Sequence, residues 1–249
     1  MNSRWSLYRG KPDANEWLHG EDFLCVSQQP FNQLLISIGE KLGTKNRKVI
    51  AAALMLRYGY SATFSIASTS IFKQVPNINL SNISIKFSQG KLFEKLAIHQ
   101  DLFDQTKGKK QPDTSICMPA LAKQLKAQVS PIVDALNLWS RSSKKNLWGI
   151  IASTWSTQII NICKEAQQQE NSQLYLDYFF SSDDILDRVK PSFFEISHQN
   201  QTKTCHQRTS CCLNFKVSET KTNCTSCPAI SYLESRERHL IQFKKQLAR

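Results

Sequence analysis

Long apolar runs are scarce in this chain. The opening residues, "MNSRWSLYRGKPDANEW", hold no apolar stretch of the kind a secretory signal needs. The longest apolar run, "VIAAALMLRY" at 49–58, falls well short of the roughly 20 residues of a membrane-spanning helix. The expectation is a soluble, cytoplasmic protein in a reducing compartment, where structural disulfides are rare. Internal repeats and low-complexity tracts are also missing. Acidic side chains are in short supply: 20 Asp and Glu stand against 32 Lys and Arg, a net charge of +12. The last 49 residues carry nine basic and three acidic side chains, +6, which is half the excess. Such a surface attracts anions, whether nucleic acid, acidic proteins, small anionic molecules or the face of a membrane. The cations form no dense run with interleaved aromatics, and no helix-turn-helix or finger spacing appears, so nucleic acid is not an expected partner.

What is present suffices for a core. With 41% hydrophobic and 21% charged residues, 249 residues can fold as one large domain or two small ones without covalent staples. Pro30 is placed to start a helix whose apolar positions Phe31, Leu34, Leu35 and Ile38 recur at helical spacing, and Gly43 to end it. "NRKVIAAALMLRY" (46–58) follows as an Ala-rich, buried helix. Within the Ser-, Thr- and Ile-rich residues 59–95, "SNISIKFSQG" alternates Ile83, Ile85 and Phe87 with Ser84, Lys86 and Ser88, a strand closing in a Gln-Gly turn. "DQTKGKKQPD" (104–113) reads as an exposed loop. Ser130-Pro131 reads as a cap and first turn for a helix lined by Ile132, Val133, Leu136 and Trp139. From Lys144 to about Gln168, Trp148, Ile151, Trp155, Ile159 and Ile162 mark an amphipathic helix, its tryptophans core rather than pocket wall. "SSDDILDRVKP" is a shorter helix, with Ser182 as cap and Asp183 and Asp184 at its positive end.

"SHQNQTKTCHQRTS" (197–210) has little to bury and reads as a polar bridge dividing residues 1–196, a mainly helical body, from a C-terminal segment, 197–249. Pro228 is placed to open a last helix, with Leu233, Leu240 and Leu247 spaced by sevens and Glu234 paired to Arg238. The fold class expected is α+β with helices dominant: a helical body, a small antiparallel sheet that includes 83–87, and a cysteine-rich tail packed on it.

The eight cysteines are not evenly spread. Cys25, Cys117 and Cys163 stand apart and read as packing thiols. Cys205, beside His206, reads as a lone exposed thiol with a reserve role as spare ligand. The remaining four crowd into "RTSCCLNFKVSETKTNCTSCPA" (208–229): an adjacent pair, an eleven-residue gap, then CxxC. A CxxC turn converges two sulfurs on one metal while backbone N–H groups stabilise their negative charge. Adjacent cysteines cannot converge in an extended strand, where side chains alternate faces, so Cys211 and Cys212 require a tight, irregular segment. Four thiolates serve tetrahedral zinc or a 2Fe–2S cluster, and spacing alone leaves both open. The five histidines show no ligand spacing among themselves, although His206 could in principle stand in for a thiol.

"RTSCCLNFK…CTSCPA" resembles the C-terminal signature of the FhuF-like ferric siderophore reductases, in which an Arg, a small residue and two adjacent cysteines precede an aromatic-containing strand and the segment closes with CxxCP. Arg208, Leu213 and Phe215 occupy the flanking places of that signature. "MPALAKQLKAQVSPIVDALNLW" and "KKNLWGIIASTW" resemble the family's helical middle more loosely. The segment departs from the family in a gap one residue longer than usual and in "SETKTN", which replaces a Pro-Gly-Gly-like turn. The resemblance implies a 2Fe–2S cluster held by Cys211, Cys212, Cys224 and Cys227, and one-electron reduction of Fe(III) in a hydroxamate- or carboxylate-type siderophore. Arg208, Lys216 and the positive end of a helix opened at Pro228 would favour the more negative, reduced cluster. The basic tail would suit an acidic electron donor such as a ferredoxin or flavodoxin, an anionic ferric complex, or peripheral contact with the inner membrane face. The competing readings are a nucleic-acid-associated protein with structural zinc, and an iron–sulfur redox sensor or siderophore binder without catalysis.

Overall fold

The computed structural model describes residues 6–13, 16–88, 92–100, 113–181, 184–219 and 221–248. In chain order these form β1 (Ser6–Arg9), β2 (Leu18–His19), α1 (Gln29–Lys41), α2 (Arg47–Tyr58), α3 (Thr63–Phe72), β3 (Ile83–Ser88) and β4 (Leu92–Ile98). There follow α4 (Thr114–Ser140), α5 (Lys144–Glu165), α6 (Ser172–Phe180), α7 (Asp184–Arg188), β5 (Ser192–His198), β6 (Gln201–Gln207) and α8 (Tyr232–Leu247). The class is α+β with helices dominant, as the sequence leads one to expect.

The body packs around α5, against which α2, α3, α4 and α6 all lie. Its residues Leu147 to Ser156 are buried almost without interruption, and Trp148, Trp155 and Phe179 meet edge to face in the core. A helix buried on every side must satisfy its polar side chains internally. Ser153, Thr154, Ser156 and Thr157 each donate to the carbonyl four residues back, at 2.8, 3.3, 2.8 and 2.9 Å. Trp139 is half-buried beneath the Arg47 guanidinium, 5.4 Å from its ring centre.

Two helix expectations within the body need correction. Ser130 and Pro131 do not start a helix; both Pro119 and Pro131 lie inside the 27-residue α4. A proline within a helix costs about 3 kcal/mol. Here the buried row Leu121, Leu125, Val129, Ile132 and Leu136 runs straight past it, and each such side chain returns roughly 1.5–3 kcal/mol on burial. The second concerns residues 59–72, where the Ser- and Thr-rich composition concealed α3. A 3-10 turn, Gly59–Ala62, joins it to α2, and Arg47–Phe72 makes 26 residues long and apolar enough to cross a membrane, with 72% of its most apolar stretch buried inside the protein.

The first sheet has the order β1-β4-β3-β2. It is mixed rather than purely antiparallel, because β1 runs parallel to β4. The alternation in β3 holds, with Ile83, Ile85 and Phe87 buried. Ser84 is buried as well, clasped between His19 Nδ1 at 2.7 Å and His99 Nε2 at 2.8 Å. The Gln-Gly turn after β3, residues 104–112 of the expected loop, and Ser182 and Asp183 of the α7 cap lie outside the described residues.

Residues 197–210 are not a bridge. They complete a hairpin whose two-residue turn, Gln199 and Asn200, is left-handed at both positions (φ 49° and 59°), the twist that joins antiparallel strands. The hairpin crosses position 196, and Phe194, Ile196 and Cys205 pack with Phe243, Leu240 and Leu247 of α8 into a small second core. Helix α8 starts at Tyr232, capped by the Ser231 hydroxyl, four residues later than Pro228 would have it.

Candidate metal centre

The hairpin delivers the chain to the cysteines. At the end of β6 the Gln207 side chain donates to the carbonyls of Cys227 and Ile230 at 3.2 and 2.8 Å, and the Arg208 amide donates to Ser226 O at 2.9 Å. These bonds tie the two halves of the motif together across the intervening loop. The next two residues fix the motif to the body. Thr209 Oγ1 donates to Val189 O at 2.9 Å, and Ser210 sits over Gly149 of α5 with its hydroxyl toward Lys145 O at 3.4 Å.

Between residues 208 and 213 the backbone is neither helix nor strand, and Leu213 is left-handed at φ 58° before a 3-10 turn, Asn214–Lys216. This is the irregular segment that two convergent neighbouring thiols require. The amides just beyond them turn back onto sulfur: Leu213 N–H points at Cys211 Sγ at 3.4 Å, and the Asn214 amide bonds the Cys212 sulfur. In the second half, Cys227 N donates to Cys224 O at 3.0 Å, closing the CxxC turn.

The four thiols meet as two nested pairs, each joining one half of the motif to the other, so the two CxxC sulfurs fall in different pairs rather than together as their spacing suggests. Cys211 Sγ and Cys227 Sγ are 3.9 Å apart, and Cys212 and Cys224 are hydrogen-bonded to one another. Two thiolates held at about 2.3 Å by one tetrahedral metal stand about 3.8 Å apart, so the first pair already has the span of a shared ion. Among the described residues no three His, Cys, Asp or Glu gather as a set for a single ion. Two thiol pairs side by side can serve a two-iron centre, in which each iron takes two thiolates, or one zinc taking all four.

The charges around the pairs are uneven. The hydrogen bond to Cys224, with the Arg208 guanidinium and the Asn214 amide, holds the Cys212 thiol below its ordinary range despite burial. Cys224 moves the other way, raised by the same bond to Cys212 and by its own burial. Burial raises Cys211, against the opposing pull of the Leu213 amide. Arg208 bonds Cys212, yet its Nε and Nη1 are buried with no acceptor. Each buried, unmade hydrogen bond costs about 1–3 kcal/mol. Orphaned donors beside four thiols fit a group that brings acceptors of its own, as bridging sulfides do; a zinc ion brings none. The residues present therefore fit a 2Fe–2S cluster.

Helix α8 closes the site from behind. Ser235 Oγ donates to Thr225 O at 2.8 Å, Arg238 Nη1 to Asn223 O at 2.8 Å, and Gln242 Nε2 to Thr225 Oγ1 at 2.8 Å. The Arg238–Glu234 pair is present at 2.6 Å, but the guanidinium's second task, holding the CxxC loop, has no sequence signal. Gly149 and Gln207 are likewise invisible without the fold.

Other expectations about thiols and histidines change. Cys205 is not an exposed thiol; it is 3% exposed in the small core, and burial raises its thiol. Cys25 is exposed rather than packed, while Cys117 and Cys163 are buried as expected. His206 does not approach the cysteines as a ligand: it is half-buried near Arg208 and His239, and its buried Nε2 has no partner. No protein-family model matches the chain, and no curated protein matches it.

Proposed function

We propose that the chain is a ferric siderophore reductase whose C-terminal part, from the β5–β6 hairpin onward, holds a 2Fe–2S cluster on Cys211, Cys212, Cys224 and Cys227, with the helical body carrying it. The observation that carries this reading is the pairing of the four thiols, Cys211 with Cys227 and Cys212 with Cys224, beside an arginine with unmet buried donors. A cluster of this type takes up and gives back single electrons, which is the chemistry that turning Fe(III) into Fe(II) requires.

The chain's own residues then have defined tasks. Four thiolates hold the group, and the hairpin and α8 keep them paired. Arg208 offsets negative charge at Cys212 and supplies donors to whatever acceptors sit beside it. The substrate supplies the rest of the driving force. Hydroxamate and carboxylate oxygens are hard donors that hold Fe(III) far more tightly than Fe(II), so one electron loosens the complex and frees the iron with the chelator intact. Neither a nucleophile nor an acid–base pair is needed. The ferric complex is a cytoplasmic substrate in this scheme, and an acidic ferredoxin or flavodoxin replaces the electron.

Anaerobically purified protein should be red-brown, carry two irons and two sulfides per chain, and bleach with dithionite. Reduced protein mixed with ferric hydroxamates should reoxidise and release Fe(II). Serine at any one of the four positions should remove colour and turnover together. A colourless, zinc-loaded protein, or full turnover in a serine variant, would overturn the reading. A cluster that reduces normally but passes no electron to any ferric chelate would make the protein a sensor.

A further inference from the structure

Cations that lie far apart in the sequence come together at one end of the body. Gly59, just past α2, lies against the Thr154 side chain of α5. Helix α2 begins at Arg47 and α5 at Lys144, a similar distance back along each, so the two start at the same end. Helix α4 finishes there. The Arg47 guanidinium sits 5.4 Å from the Trp139 ring centre and reaches Trp139 O at 3.4 Å, and Lys144 pairs with Asp134 at 2.7 Å. Residues 40–48 and 134–145 together carry seven cations against two carboxylates, Glu40 and Asp134. Lys45, Arg47, Lys48, Arg141, Lys144 and Lys145 are all exposed.

An exposed leucine stands among them. On α4, Leu138 comes one turn after Asp134 and immediately before Trp139. At about 100° per residue its side chain therefore lies between the direction of Lys144 and that of Arg47. It is 71% exposed and belongs to neither core. An apolar side chain ringed by charge of one sign suits a small, transient protein contact, in which charge steers the encounter and a dry centre gives grip. This end also adjoins the thiols. Ser210, the residue before the vicinal pair, sits over Gly149 with its hydroxyl toward Lys145 O, and the turn Asn214–Lys216 after the pair lies against α2. Gly149 is one helical turn from Lys145, about 6 Å along α5. Cys211 is partly exposed. A nucleic acid or a lipid surface gains nothing from lying beside thiols, whereas a one-electron donor must lie there, because electron transfer falls off steeply with distance.

We infer that the end of the body formed by Lys45, Arg47, Lys48, Arg141, Lys144 and Lys145 around Leu138 docks an acidic one-electron donor protein. The inference rests on the reductase reading. In the encounter the reduced donor loses one electron and the cysteine-held centre gains it; no covalent bond forms or breaks.

The test uses the full chain with its cluster and an acidic plant-type ferredoxin. Carbodiimide coupling of the two oxidised proteins, read by mass spectrometry, should join ferredoxin carboxylates to Lys45, Lys48, Lys144 or Lys145. Under anaerobic stopped flow, reduced ferredoxin should bleach the wild-type cluster at a rate that falls steeply with added salt. Lys48→Glu/Lys145→Glu should bleach about tenfold more slowly at low salt and lose most of that salt dependence. Lys123→Glu/Lys164→Glu makes the same charge change more than about 20 Å away along α4 and α5, and should stay within about twofold of wild type. Leu138→Ser should slow the reaction without changing its salt slope. Equal ferredoxin rates in the first two variants, or cross-links confined to other lysines, overturn the docking face while leaving the reductase reading intact. A Lys48→Glu/Lys145→Glu variant that loses only binding to duplex DNA or to phosphatidylglycerol vesicles overturns it too. A wild-type protein with no bleachable chromophore overturns the reductase reading and this inference with it.

Discussion

Gly149 lies directly beneath Ser210: a methyl group on Gly149 would come within 2.1 Å of the Ser210 hydroxyl and 2.7 Å of its Cβ. The residue before the vicinal cysteines is thus seated on the central helix with no atom to spare. Gly149→Ala should keep the helical body, because alanine is the better helix former by about 1 kcal/mol. It should lift Ser210 and with it Cys211. The expected result is an unchanged far-ultraviolet circular dichroism spectrum with less than half the wild-type iron and sulfide. Full cluster content in this variant would mean the loop is not seated as described.

Arg208 places positive charge and a donated hydrogen bond on Cys212. Reducing a cluster adds a negative charge, so Arg208 should raise its potential. Arg208→Gln should lower the midpoint by tens of millivolts, on the order expected for one nearby, partly screened charge. Arg208→Lys should restore part of the difference. Potentiometric titration followed by electron paramagnetic resonance reads the shift directly, independent of turnover. Equal midpoints in the three proteins would remove the tuning role.

His206 gives a pH prediction. Burial first, then Arg208 and His239, depress its imidazole to about 3 from an ordinary value of 6.5. Between those limits the unfolded chain binds a proton that the folded chain refuses. The stabilising contribution is therefore complete above about pH 6.5 and is lost as pH falls, at about 1.4 kcal/mol per pH unit. Between pH 7 and 5, urea unfolding should show wild type losing about 2 kcal/mol more than His206→Gln. Parallel losses would place the ring in contact with water.

Ser84 holds two imidazoles at once, His19 at 2.7 Å and His99 at 2.8 Å. Ser84→Ala removes both bonds and leaves both rings unpaired there, at a cost of about 1–3 kcal/mol. Thermal unfolding should shift down accordingly, and iron content should not change. A wild-type melting temperature in the alanine variant would show that the two rings find other partners.

Cys205→Ser and Cys163→Ser separate packing thiols from the paired ones. Both side chains are buried in cores, 3% and 1% exposed, so serine should cost stability while the visible spectrum is retained. Loss of colour in Cys205→Ser with the fold intact would reopen its role as a ligand.

What the sequence determined by itself was local. Helical spacing marked α1, α2 and α5, period-two alternation marked β3, and four clustered thiols marked the site, because each of these patterns is set by neighbours within a few residues. What it concealed depended on distant partners. The prolines of α4 look like a helix start until the continuous buried row around them is seen. The polar β6 looks like a linker because its single buried side chain, Cys205, meets a core built mostly by β5 and α8. Which thiol pairs with which, why Gly149 carries no side chain, and why Arg208 has donors to spare were decided only when the hairpin, α5 and α8 came together around one loop. Spacing along a chain limits how far two sulfurs can be apart; only packing from several elements determines how close they are held.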